Sequence, residues 1–366
     1  MKHLIIIWII TLLTGACIDP AGIKPADFND FLVVEGFITD QPGPHPFKIT
    51  RVVEFSGILE GGVVDVEENI VVSILHEDGT RTKLNESLVT LKQFNCFQGT
   101  FSFFEFISGY ETPANFRGEV GSTYTLEIAT SGGEIYRSEP QTIKKTVSID
   151  SVHLSFKEIP SLNDYQPRSG VEIFSSWQDP AEEENFYFWQ TDGIYRIRTL
   201  PSGKCCFLDE DGSQDCYIHE PNVEGNLVAF SDDQVNGSFV TKKVAFIEDD
   251  GWRFANNRVP PVKQYYLELK QYEITEENYK FNQAITTLEE INGEIFDPPP
   301  LSVRGNIRNV NDPEDIVIGY FGAYQEQKVS LFIPSSLFPF KQQFNQPCGD
   351  CRVIRGAKTE VPEPFK

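Results

Sequence analysis

Phe31-Leu32-Val33-Val34-Glu35-Gly36-Phe37-Ile38, then Gln41-Pro42-Gly43-Pro44, then Phe47-Lys48-Ile49-Thr50-Arg51-Val52, has the pattern of two strands and the turn between them. The first segment is an apolar run of strand length. The second is turn chemistry. The third alternates apolar and polar residues with the period of a half-buried strand. The same pattern recurs downstream. Ile70 to His76 leads into Glu77-Asp78-Gly79-Thr80, a hairpin signal. Tyr124, Leu126 and Ile128 share one side of a strand, with Thr125 and Glu127 on the other, and Ser131-Gly132-Gly133 turns the chain into Glu134-Ile135-Tyr136. Strands at this spacing predict an immunoglobulin-like β-sandwich over residues 30–142.

A boundary falls at Pro140 to Lys145, and a second mainly-β region is expected over residues 146–366. Its first strand opens with Val147, Ile149, Val152, Leu154 and Phe156, and Val171 to Trp177 gives the next. Phe186-Tyr187-Phe188-Trp189 and Ile194-Tyr195-Arg196-Ile197 read as two strands joined by Asp192-Gly193. One short helix is expected near residues 275–292. Thr275 caps it, Glu276 and Glu277 sit in its positive first turn, and Asn292-Gly293 ends it. Phe281, Ala284, Ile285, Leu288 and Ile291 form its apolar face, read as core packing. The fold class is therefore mainly β: an N-terminal sandwich, then a second β region with one helix.

The first residues carry a different message. Met1-Lys2-His3 precedes Leu4 to Leu13, an apolar run broken only by Thr11. That is the plan of a signal peptide over residues 1–16, too short for a membrane span of about 20 residues. Leu13-Thr14-Gly15-Ala16-Cys17 resembles the bacterial lipobox. The resemblance implies cleavage before Cys17, diacylglycerol on its sulfur and acylation of the new amino group. Residues 17–29, with Pro20, Gly22 and Pro25, read as a lipidated tether.

The formal charge is −23, from 54 acidic and 31 basic residues, which argues against nucleic acid or a bare anionic membrane as partner. Apart from Cys17, six cysteines remain: Cys96, Cys205, Cys206, Cys216, Cys348 and Cys351. In an exported chain they are disulfide candidates, with 15 possible pairings. Zinc or redox chemistry at Cys348-Gly349-Asp350-Cys351 is the competing reading. Asp209, Asp211 and Asp215 surround a glycine turn where calcium could bind, against the plainer reading of a solvated hairpin tip. The sequence contains no His-Glu-x-x-His and no Gly-x-Ser-x-Gly, and no catalytic residue or resident cofactor is expected. The aromatic cluster Phe186 to Trp189 with Tyr195 is read as core before ligand surface.

In their order, several short motifs resemble a family of Bacteroidota-type lipoproteins catalogued as domain of unknown function 4249. These are the lipobox followed by Leu32 to Asp40, the Cys205-Cys206 pair, and Tyr279 ahead of Pro299-Pro300. Arg304-Gly305-Asn306-Ile307, Gly319-Tyr320-Phe321 and Cys348 to Cys351 complete the set. The resemblance implies an outer-membrane lipoprotein, on a membrane face left undetermined. It also implies a non-enzymatic accessory or lid of a TonB-dependent receptor in nutrient uptake. A stand-alone structural or adhesive lipoprotein and a surface hydrolase are the alternatives.

Overall fold

A computed structural model describes residues 32–51, 65–66, 69–93, 102–159, 168–199, 214–220, 228–249, 265–290, 305–313, 315, 317–334, 337, 351, 354 and 356–366. In chain order the strands begin with β1 (Leu32–Thr39), β2 (Pro46–Arg51), β3 (Asp65–Val66), β4 (Val71–His76) and β5 (Arg81–Lys83). Next come β6 (Asn85–Gln93), β7 (Ser102–Glu111), β8 (Thr123–Ala129), β9 (Ile135–Ser138) and β10 (Gln141–Thr142). After these lie β11 (Ser151–Ile159), β12 (Arg168–Gln178), β13 (Phe186–Arg198) and β14 (Asp215–Glu220). β15 (Val228–Ser231), β16 (Phe239–Glu248) and β17 (Tyr265–Ile274) lead to the helix α1 (Glu276–Glu290), and β18 (Ile307–Asn309), β19 (Val317–Tyr324) and β20 (Gln327–Ile333) follow. The protein is mainly β, with one α-helix among the described residues.

Two sheets make the first sandwich. One runs β19-β1-β2-β7-β6 with β3 beside β2; the other runs β18-β9-β8-β4-β5 with β10 beside β8. Leu32, Val34 and Phe47 from the first meet Val72, Ile74, Leu126 and Ile128 from the second in one core. This unit is not contiguous. An end at residue 142 was expected, but β18 and β19 complete its two sheets. β19 lies parallel to β1, from Leu32 opposite Val317 to Thr39 opposite Tyr324. The cause is visible in β1 itself. Val33 and Phe37 are apolar on the side opposite Leu32 and Val34, and a strand apolar on both faces belongs in the interior of a sheet. With β2 on one side, β1 needs a second neighbour.

The second sandwich stacks β11-β12-β16 on β14-β13-β17-β20, with β15 beside β13. Val171, Ile173 and Trp177 pack there against Tyr187, Trp189, Leu267 and Leu269. Here Asp192-Gly193 was expected to be a turn and is not one. β13 runs unbroken, with Asp192 opposite Glu268 and Gly193 opposite Leu267. A Cβ on Gly193 would fall 2.0 Å from the Tyr265 hydroxyl, so the glycine makes room for a cross-strand ring. Asp192 accepts a 2.6 Å hydrogen bond from Lys270 Nζ. The aromatic run at the start of β13 is buried on both sides: Tyr187 and Trp189 face the second sandwich's core, while Phe186 and Phe188 join Tyr272, Ile274 and Tyr324 in a third cluster.

One buried charge bridges the strands of the first sandwich. Glu127 on β8 is held by Arg81 on β5 and Arg137 on β9. Burial pushes its carboxyl up. The Arg137 hydrogen bond and the two guanidinium charges outweigh that and leave it below its ordinary 4.5. A depressed carboxylate contributes stability above its unfolded pKa and loses it as pH falls through the folded one. Glu127→Gln is therefore expected to cost about 1–2 kcal/mol near pH 7, the lower range because both arginines are half-exposed. In chemical denaturation the gap to the parent should close as the pH falls below 4.5. A gap independent of pH would refute the ion-pair account.

Candidate functional site

The site is built where the outer face of β1 and β19 meets the helix. Alternation sends Leu32 and Val34 inward, so Val33, Glu35 and Phe37 leave β1 on the other side. Ile318, Tyr320 and Tyr324 do the same on β19. The helix starts above them because Thr275 caps it: Asn278 N donates to Thr275 Oγ1 at 3.2 Å, and Tyr279 N donates to the Thr275 carbonyl at 2.9 Å. The capping hydroxyl also bonds Tyr320 Oη at 2.9 Å, which ties the helix start to β19.

Among the described side chains of α1, Asn278 and Asn282, one turn apart, are the buried ones. Of the expected apolar face, Phe281, Ala284 and Ile285 are half-buried, and the side chains of Leu288 and Ile291 lie outside the described residues. Asn278 Nδ2 donates to the Tyr324 hydroxyl, and Asn282 Nδ2 donates to Asn278 Oδ1 at 2.7 Å. Phe281 stacks at 5.6 Å on Tyr320, and Tyr279 at 5.2 Å on Phe186. Phe281 and Ile285 remain half-buried and form one wall of a cleft of about 660 Å³. Val33, Phe37 and Tyr320 make the facing wall, Phe188 and Gln190 of β13 reach in, and Glu35 and Lys48 stand exposed among its lining residues. The volume is in the range of small-molecule sites, about 300–1,000 Å³.

Its phenols are donors at any physiological pH. Burial raises Tyr320, with the Thr275 hydrogen bond acting against the shift, and burial raises Tyr324 further. Close by, Tyr272 Oη donates to Glu326 Oε2 at 3.2 Å. Burial also raises Glu326, while Lys270 and Lys328 pull it down. The arrangement can hold an apolar group against aromatic walls and offer it amide and hydroxyl partners.

Motifs far apart in sequence meet here. Gly319 lies opposite Val34, and a Cβ on Gly319 would fall 2.0 Å from the Val34 carbonyl oxygen. A Cβ on Gly305 would fall 1.3 Å from the Gly319 carbonyl oxygen. Asn306 then mimics a strand: its Nδ2 donates to the Phe321 carbonyl and its Oδ1 accepts from Phe321 N, both at 2.9 Å. The cleft was not expected from sequence. Two signals pointed to it: apolar residues on the outward face of β1, and an Asn pair one turn apart on a helix otherwise given an apolar face.

Of the cysteines, Cys216 and Cys351 form a disulfide. Cys351 therefore does not combine with Cys348 in a zinc or redox pair. Cys17, Cys96, Cys205, Cys206 and Cys348 lie outside the described residues, as do Asp209 and Asp211. Asp215 is on β14, where Arg196 Nη1 stands 3.6 Å from its Oδ2. A family model described as "Domain of unknown function (DUF4249)" matches residues 18–330. No curated protein matches the chain.

Proposed function

The chain belongs to the DUF4249 family, and from that premise we propose that it is an outer-membrane lipoprotein held by lipid on Cys17, a non-enzymatic accessory or lid of a TonB-dependent receptor. The observation that carries the anchoring is Leu13-Thr14-Gly15-Ala16-Cys17 behind an apolar run. Two or three acyl chains on one residue make a lasting tether, because each buried CH₂ contributes about 0.8 kcal/mol. The partnership rests on the family resemblance. The cleft beside α1 supports a binding role, with apolar walls and neutral phenol and amide groups at its edges. The occupant that fits it is an apolar side chain or small apolar group presented by the receptor or its cargo.

The protein should co-purify with a stoichiometric β-barrel receptor from gently solubilised native membranes, as read by mass spectrometry. Cys17→Ser should move it into the soluble fraction. Repeated recovery of the lipoprotein alone, where other receptor complexes survive, would overturn the partnership. Unchanged membrane attachment of the Cys17→Ser chain would overturn the anchor.

A further inference from the structure

At one end of the second sandwich two loops meet, residues 179–185 before β13 and 232–238 after β15. They bring together three side chains that are almost fully buried: Asp179 is 2 % exposed, Asn185 4 % and Asp232 0 %. Asn185 and Asp232 extend the β13–β15 ladder by one step beyond Phe186 opposite Ser231, with Asp232 N donating to the Asn185 carbonyl at 3.2 Å. Cross-strand partners leave a sheet on the same side, so these two side chains are neighbours. Asp179 is fixed from two directions. Tyr187 Oη donates to its Oδ1 at 2.6 Å, and Gly237 N donates to its Oδ2 at 2.9 Å.

What these groups lack is as informative. By strict hydrogen-bond geometry both buried carboxylate oxygens of Asp232 lack a partner among the described residues, as does Asn185 Oδ1, although the Asn185 N–H and the Asp179 carboxyl lie close enough to act on Asp232. Asn185 Nδ2 donates to Glu273 Oε1 at 3.4 Å, which orients the amide and turns its oxygen away from Glu273. Lys144, 4.0 Å from Glu273, is the cation paired there. Buried carboxylates without a counter-charge are costly, and buried polar atoms in native proteins nearly always have partners.

We infer that Asp179, Asn185 and Asp232 form a binding site for a divalent cation of the calcium type. A proton is the rival way to neutralise the pair. Burial raises the Asp232 carboxyl, the Asn185 N–H acts against that shift, and the charge and hydrogen bond of Asp179 raise it again, so that rival is real. Yet a proton on Asp232 serves one oxygen. It leaves the other, and it leaves Asn185 Oδ1, which is an acceptor only. A cation seated between the two loops offers a partner to Asn185 Oδ1 as well as to the carboxylates. The donors are all hard oxygens, two carboxylates and an amide, and calcium accepts six to eight such ligands with loop carbonyls and water completing the set. The site differs from the acidic turn at Asp209, Asp211 and Asp215. It also adjoins the helix, since Phe186, next in the chain to Asn185, stacks on Tyr279 of α1. Bound cation would join the two loops where they support one wall of the cleft.

The test is a terbium titration of the chelator-stripped full-length protein, with luminescence sensitised through Tyr187 and the neighbouring tryptophans. A saturable signal displaced by calcium is expected, together with a calcium-dependent rise of a few degrees in Tm. Asp232→Asn should weaken terbium binding at least about tenfold. Because it removes an unpaired buried charge, it should also leave the calcium-free protein as stable as the parent or more so. Should that variant misfold, Asn185→Leu provides the second reading, with the same loss expected. Asp209→Asn/Asp211→Asn should retain the signal. A folded parent with no calcium-displaceable signal would overturn the site, as would a signal lost in the Asp209/Asp211 variant and kept in Asp232→Asn.

Discussion

Gly319→Ala is expected to cost about 2–6 kcal/mol, a large fraction of the 5–15 kcal/mol or so that stabilises a typical folded protein. Two penalties combine. Gly319 has φ +134°, a region that side-chain-bearing residues avoid at a cost of about 1–3 kcal/mol. Its Cβ would also sit 2.0 Å from the Val34 carbonyl, a backbone atom that no rotamer change can move. Relief requires separating β19 from β1, and overpacking of this kind costs a further 1–3 kcal/mol or so. Gly305→Ala should incur the close-approach penalty alone, because its Cβ would meet the Gly319 carbonyl. Gly79→Ala separates the two causes. Gly79 has φ +84° with open space around it, so only the conformational penalty of about 1 kcal/mol remains. Urea denaturation of the three variants checks this. Equal losses at Gly79 and Gly319 would remove the close-approach argument.

Cys216→Ala/Cys351→Ala is expected to lower stability by about 4 kcal/mol. The bridge spans 135 residues of sequence, and closing a loop of that order removes roughly 4–5 kcal/mol of unfolded-state entropy. It also fastens the C-terminal segment to β14. Tyr217 and Lys358 exchange backbone hydrogen bonds at 2.8 and 2.9 Å, and Phe365 packs at 5.2 Å on Tyr217 and 5.3 Å on Phe332. The denaturation midpoint of the double variant should match that of the parent under reductant. A loss below about 1 kcal/mol would show that packing alone holds this segment.

Strand identity was legible from local pattern, and strand partnership was not. The alternation around Phe47 to Arg51 and the hairpin at Glu77 to Thr80 are short-range signals, and both strands form where they were read. The two-faced character of β1 was equally visible, but nothing in Leu32 to Thr39 names Val317 to Tyr324 as its neighbour. Asp192-Gly193 misled for a related reason. The dipeptide favours a turn in isolation, and the room needed by Tyr265, more than 70 residues away, decides otherwise. The cap at Thr275 was readable. The burial of Asn278 and Asn282 was not, because it depends on a hydroxyl, that of Tyr324, which distant strand pairing delivers.

The parallel pairing of β1 with β19 also sets an order of events during synthesis. β1 emerges early, while its partner follows roughly 285 residues later. At about 5–20 residues per second this is an interval of some 15–60 s. Throughout it β1 has β2 on one side and an open, apolar edge on the other, the form of strand most prone to pair with the wrong chain. A protein so connected keeps the edge of its first strand unprotected until residues 317–324 are in place.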